Sequence, residues 1–178
     1  ELSDHSDAPR SEPVPVDPRQ LLEQVIDTHR SRARSKGLQL DLLHESPVPP
    51  MIVTDPFRLQ QALGRVLENA VWFTDAGRVT IRLSVAIEPR GEDADPRPRL
   101  AIVIEDTGRG MSREQIDRAL LGQVAEAHAG DAGDAADGQV GLGLRIARSF
   151  VHALGAELRI DSAPGRGSTV TILLEFGD

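Results

Sequence analysis

The stretch "LAIVIED", residues 100–106, constrains the fold more than any other part of the chain. Its apolar residues fall on both faces of an extended backbone, which places it in the interior of a sheet. It runs straight into a carboxylate, Asp106, and then into glycines at alternate positions, Gly108 and Gly110. Asp-Thr-Gly alone makes a good turn. The second glycine, so soon after the first, needs a separate reason.

The neighbouring segments predict what that strand packs with. Residues 1–15 are polar and proline-bearing with no period, so they read as a linker or frayed end, and the domain runs from 16 to 178. Asp17-Pro18 and Asp55-Pro56 each offer an N-cap followed by proline at the first helical position. The first predicted helix carries Leu21, Leu22, Val25 and Ile26 on one side and ends at Gly37. The second carries Leu59, Leu63, Val66, Leu67 and Ala70 at helical spacing. Between them lie a short strand, "LQLDLLH", and a proline-rich connection. Residues 78–88 alternate, with Val79, Ile81, Leu83, Val85 and Ile87 facing one way, which predicts a half-buried strand.

A short helix is predicted over about 112–121, a loop without period over 122–139, and a further helix from Gly141. Ile146, Ala147, Phe150, Val151 and Leu154 form the buried side of that last helix. "ELRID" and "STVTILLEF" close the chain as an antiparallel hairpin through "SAPGRG". The pattern predicts a two-layer α/β sandwich, a mixed sheet covered by helices on one face.

Composition removes several chemistries. No apolar run approaches the ~18 residues of a membrane span, and no signal sequence opens the chain, so a cytoplasmic setting is expected. The absence of cysteine excludes disulfides, thiolate metal sites and cysteine nucleophiles. A formal charge of −8 and an aromatic content of 3% argue against nucleic acid as a partner. Lys36 is the only lysine and stands in "SRARSKG", so a P-loop, which needs lysine after glycine, is excluded.

Three places are left that packing alone does not explain. Asn69 sits inside a predicted helix, where asparagine is a poor helix former, though a boundary asparagine bonded to backbone would account for it. "DTGRG" lets backbone lie against a flat ligand, and a tight turn is its plain alternative. "GQVGLGL" opens a helix, whose free N–H groups favour phosphate, although Gly-x-Gly before a helix is common.

Taken in order, these features resemble the ATP-binding domain of sensor histidine kinases, the GHKL fold shared with gyrase, heat-shock chaperone and mismatch-repair ATPases. "RLQQALGRVLENAVWFTDAGRVTI" is similar to that family's asparagine box and "IEDTGRGM" to its first glycine box. "VGLGLRIA" is similar to the second glycine box and "GAELRIDSAPGRGSTVTILL" to the closing hairpin. The resemblance implies that Asp106 accepts a hydrogen bond from the adenine amino group of ATP and that Gly108 and Gly110 make room for the purine. It further implies that Asn69 holds Mg²⁺, that Gly141, Leu142, Gly143 and Leu144 meet the phosphates, and that Thr169 completes the nucleotide contacts. The phosphoacceptor histidine of a separate dimerisation domain and a downstream response regulator are the implied partners. The chain alone is then monomeric and the longer protein a homodimer.

The chain departs from the family pattern at several points. Arg65 stands one turn before Asn69, where ATP-hydrolysing relatives carry a water-activating glutamate. Glu68 is the candidate substitute and forms the expected catalytic pair with Asn69, although adjacent helical side chains diverge by about 100°. Trp72 stands where these kinases place a lysine, and "RALLGQVAEAH" lacks the usual aromatic. Asp131, Asp134 and Asp137 would repel a triphosphate, and their spacing fits no calcium loop. His5, His29, His44, His128 and His152 show no metal-ligand spacing, and none lies in a phosphoacceptor pair on a dimerising helix. The departures keep two alternatives open: a nucleotide-sensing or scaffolding module of the same fold, and an anti-sigma-factor serine kinase.

Overall fold

The computed structural model describes residues 12–88, 96–121 and 134–176, with 134–141 defined through the backbone alone. In chain order the elements are β1 (Val14–Val16), α1 (Pro18–Ser35), β2 (Gln39–His44), β3 (Ile52–Thr54), α2 (Pro56–Phe73) and β4 (Arg78–Glu88). There follow β5 (Arg97–Asp106), α3 (Arg113–Leu121), α4 (Asp134–Ala153), β6 (Glu157–Ala163) and β7 (Gly167–Glu175).

Both Asp-Pro pairs start helices. Asp17 accepts from the amides of Arg19 and Gln20 at 2.9 and 3.3 Å, and Asp55 accepts from Arg58 N–H at 3.0 Å. Each satisfies N–H groups that a first turn leaves open. α1 closes at Gly37, in the left-handed region at φ 69°, where Gly37 N–H bonds Arg34 O and Leu38 N–H bonds Ala33 O, both at 2.9 Å. That double closure fixes the backbone of the cap residue, Lys36.

The main sheet has the order β2-β4-β5-β7-β6, with β2–β4 parallel and the other pairs antiparallel. β5 is the central strand, as "LAIVIED" predicts. Ladder register puts Ile81, Leu83, Ile102, Ile104, Val170 and Ile172 on one face, where they join Leu22, Ile26, Leu63, Val66, Leu67, Ala147 and Val151 of α1, α2 and α4 in one core. Burying each large apolar side chain contributes roughly 1.5–3 kcal/mol. The opposite face carries ion pairs beside buried Ala101 and Leu173: Arg82 bridges Glu45 and Glu105 at 3.2 and 2.7 Å, and Arg99 reaches Glu157 at 2.7 Å. Helices therefore cover one face. Among the described residues no helix is long and apolar enough to cross a membrane.

Three local expectations are corrected. Val14 and Pro15, expected in a linker, belong to β1, which pairs with β3 inside the proline-rich connection; strands of three residues are too short to show a period. α4 starts at Asp134 and not at Gly141, so residues 134–139 are helical; "DAAD" supplies helix-forming alanines without an apolar stripe. The remainder of the predicted loop, including Asp131, lies outside the described residues. Ile87 is 69% exposed, because the end of β4 runs past the helical layer, opposite Pro98.

β4 thereby contains its own control. Ile81→Ala, at a fully buried position, is expected to lower unfolding free energy in urea by about 2–5 kcal/mol. Ile87→Ala should change it by less than about 0.5 kcal/mol. Equal effects would contradict the registered core.

Candidate functional site

Strand alternation places Asp106 on the helix-covered face, in line with Leu100, Ile102 and Ile104, at 8% exposure. Its ladder partners are Val79 on β4 and Ser168 on β7. Oδ1 accepts from Gly108 N–H at 2.9 Å. Burial pushes the carboxyl above the usual carboxylate range; the backbone amides of Gly108 and Ser168 pull it back in part, and Glu105 adds a smaller upward push. Asp106 is thus a desolvated acceptor at the end of the central strand, on the helix-covered face.

The two glycines are also required by packing within the protein itself. A Cβ on Gly108 would lie 2.5 Å from Phe73 O and 2.9 Å from Thr74 Oγ1, atoms at the end of α2. Gly110 has φ 69°, and a Cβ there would lie 1.9 Å from Ala163 O in the closing hairpin. The loop thus packs tightly against protein on two sides. Arg109 N–H donates to Phe73 O at 3.3 Å, and Arg109 O accepts from Gly165 N–H at 2.7 Å. Met111 N–H donates to Ser162 Oγ at 2.8 Å, and Ser162 Oγ lies 2.8 Å from Ser168 Oγ.

α2 acts as a ruler between two ends of the site. Asn69 and Phe73 are one turn apart on the same side, about 6 Å along the axis. At one end Phe73 O meets the glycine loop. At the other Asn69 faces α4, where a Cβ on Gly143 would lie 3.0 Å from Asn69 Oδ1. Asn69 Nδ2 is buried with no hydrogen-bond partner. An orphaned buried amide costs about 1–3 kcal/mol, and turning it over puts an oxygen, a hard-metal ligand, in the same position. Mg²⁺ takes few protein oxygens and fills its other positions with phosphates and water, so Asn69 would fit as one oxygen ligand among them. Among the described residues no cluster of His, Asp or Glu could hold a metal by itself.

The other predicted residues divide. Gly141 and Gly143 lie inside α4, beyond its first turn, so they do not supply the unbonded N–H groups of a helix start. Leu144 is buried and Leu142 is half exposed. Thr169 is registered opposite Glu105 on the ionic face, so it is not brought to Asp106, whereas Ser168 is. Strand parity carried that signal: Val170, Ile172 and Leu174 must face the helices, and Ser168 shares their side. Glu68 is paired with Arg65 at 3.2 Å and lines a ≈ 340 Å³ groove with Gln24, Thr28 and His29 of α1. It is turned to α1, away from the α4-facing amide of Asn69, because one helical step rotates it by about 100°. Trp72 lies under the Arg32 guanidinium, 4.5 Å from the ring centroid. His44 precedes Glu45 but closes a strand. Sequence reasoning missed Ser162, Ser168, Phe73, Thr74 and Lys36.

The model of the histidine kinase-, DNA gyrase B-, and HSP90-like ATPase family matches residues 54–178, and the chain belongs to that family. Within it, the chain is similar to sensor kinases. It is 31% identical over 162 residues to the aerobic respiration control sensor protein ArcB of Escherichia coli (strain K12), covering 90% of this chain and 19% of ArcB. It is 34% identical over 163 residues to the sensor histidine kinase GacS of Pseudomonas protegens, covering 92% of this chain and 17% of GacS. The structure of full-length ShkA in complex with AMPPNP superposes with a TM-score of 0.68 at 28% identity, covering 93% of this chain and 31% of that one. The chain spans less than a fifth of the length of either curated relative. It is an ATP-binding domain homologous to the catalytic domains of sensor histidine kinases.

The raised pKa of Asp106 has a signed consequence. A carboxyl whose folded value exceeds its unfolded one adds stability that is complete below the ordinary carboxylate range and lost as pH rises through the folded value. Asp106→Asn keeps an acceptor for Gly108 N–H without the charge. Its thermal midpoint should exceed that of the wild type at pH 7, and the gain should shrink as the buffer is acidified. A variant less stable than the wild type at neutral pH would contradict this.

Proposed function

We propose that this domain binds Mg-ATP and transfers the γ-phosphoryl group to a histidine on a dimerisation domain outside the chain, from which a response regulator is then phosphorylated. The observation that carries the reading is the buried carboxylate of Asp106, fixed at the end of the central strand within a family of ATP-binding domains. ShkA, a relative, was solved with AMPPNP, and the same class of ligand is proposed here.

Asp106 accepts from the adenine amino group; guanine presents a carbonyl at that position and would set two acceptors against each other. Gly108 and Gly110 hold the loop beside the purine by packing on α2 and the hairpin. The phosphates extend along α2 toward Asn69, which faces Gly143 of α4. Asn69 would hold Mg²⁺, which when bound neutralises phosphate charge. The incoming imidazole nitrogen uses its own lone pair to form the N–P bond, the bond from γ-phosphorus to the β–γ bridging oxygen breaks, and ADP leaves with that electron pair. No base is required of Glu68, so its turn toward α1 does not hinder transfer. Catalysis by this chain is positioning and electrostatics. Arg65 and Trp72, the departures behind the sensing-module alternative, both engage groups away from Asn69. ATP supply sets the domain in the cytoplasm.

Phosphotransfer in trans tests the reading. With labelled Mg-ATP, the wild type should label a supplied histidine-bearing dimerisation domain and should not label itself. Asn69→Ala should reduce transfer to background and remove the Mg²⁺-dependent part of ATP affinity. Absence of transfer by the wild type to its own natural dimerisation domain would overturn the kinase assignment.

A further inference from the structure

The end of α2 that backs the purine loop has an unusual set of partners. A helix leaves its last four carbonyls without intrahelical bonds, and its C-terminus carries partial negative charge. In α2 these are the carbonyls of Ala70, Val71, Trp72 and Phe73, and the last turn contains no basic residue. Ala70 O accepts from Thr74 Oγ1 at 2.7 Å, and Phe73 O accepts from Arg109 N–H at 3.3 Å. The two between them are both taken by one distant side chain. Lys36 Nζ donates to Val71 O at 2.8 Å and to Trp72 O at 2.7 Å.

Lys36 is the only lysine of the chain and the cap residue of α1, its backbone held by bonds from Lys36 N–H to Arg32 O and Ala33 O at 3.2 Å. Arg32, one turn earlier on α1, covers the Trp72 ring. Two cationic side chains of α1 therefore grip the last turn of α2. The next carbonyl along, Phe73 O, holds the glycine loop through Arg109, and Gly108 packs directly on it.

We propose that Lys36 is a positioning residue for nucleotide binding: its ammonium fixes the C-terminal carbonyls of α2 so that Phe73 O holds the Gly108–Gly110 loop in the geometry that presents Asp106. The proposal rests on the adenine reading of Asp106 and adds a residue from outside every motif of the nucleotide site. A charge-assisted donor suits this place, because Met offers these carbonyls no donor and Gln only a neutral one on a shorter stem, at the negative end of the helix.

The test compares Lys36→Met, Lys36→Gln and Lys36→Arg in the whole chain, well below their melting temperatures. Calorimetry with ADP should show Lys36→Met and Lys36→Gln weakened about tenfold, and Lys36→Arg within about twofold of the wild type. Amide hydrogen exchange should accelerate at Arg109 in the Met and Gln variants while Ile102 of β5 stays protected. Wild-type ADP affinity in either neutral variant, or unchanged protection of Arg109, would overturn the proposal. If Lys36→Met does not fold, Lys36→Gln carries the comparison. If the wild type itself fails to bind ADP, the adenine reading falls, and exchange at Arg109 still decides the role of Lys36.

Discussion

Holding a carboxylate at the buried end of the central strand is the constraint on which the rest of this structure depends. Asp106 is desolvated, and desolvation disfavours its charge. The fold offsets this with backbone amides from both sides: Gly108 ahead of it in the chain and Ser168 across the ladder. Both donors exist only because neighbouring elements approach unusually closely. Gly108 must pass over the end of α2, and Gly167, beside Ser168, must pass within contact of Asp106 O. Close approach of three backbones accounts for the density of glycine around the carboxylate.

α2 links this carboxylate to the rest of the site. Its last turn carries Phe73 and Thr74 against the glycine loop, and one turn earlier it carries Asn69 against Gly143 of α4. In the proposed reading, the groups that meet the purine and the phosphates are thus set on one rigid element, with their separation fixed by helical pitch. The same element presents Arg65 and Glu68 to α1. This division of faces keeps Arg65 and Glu68 on the α1 side of α2, apart from the α4-facing Asn69. Placement on a helix also lets α1, through Lys36 and Arg32, hold the last turn of α2 from outside.

Much of this was legible in the sequence, and the failures have physical causes. The helix starts at Asp17 and Asp55 were legible because capping is a local interaction between residues two or three apart. The centrality of β5 followed from apolar residues on both faces. Asp106 and Asn69 stood out as polar groups in apolar settings. Thr169 was named without counting strand parity, which Val170 and Ile172 determine and which sets Ser168, not Thr169, beside Asp106. A packing reason for Gly110 was not legible, because its neighbour is Ala163, fifty-three residues later and invisible to local reasoning. Lys36 was missed for the same cause: its acceptors on α2 lie 35 and 36 residues away, and within its own segment it is one cation in a polar run.

The central claim is that the buried carboxylate of Asp106 reads the amino group of adenine. Paired calorimetric titrations of the wild-type chain with ADP and GDP test it most directly, since the two ligands share ribose and phosphates and differ in the base. The account predicts that GDP binds more weakly by about 1–3 kcal/mol, the cost of setting an acceptor against a buried acceptor. Equal affinity for the two nucleotides would contradict it.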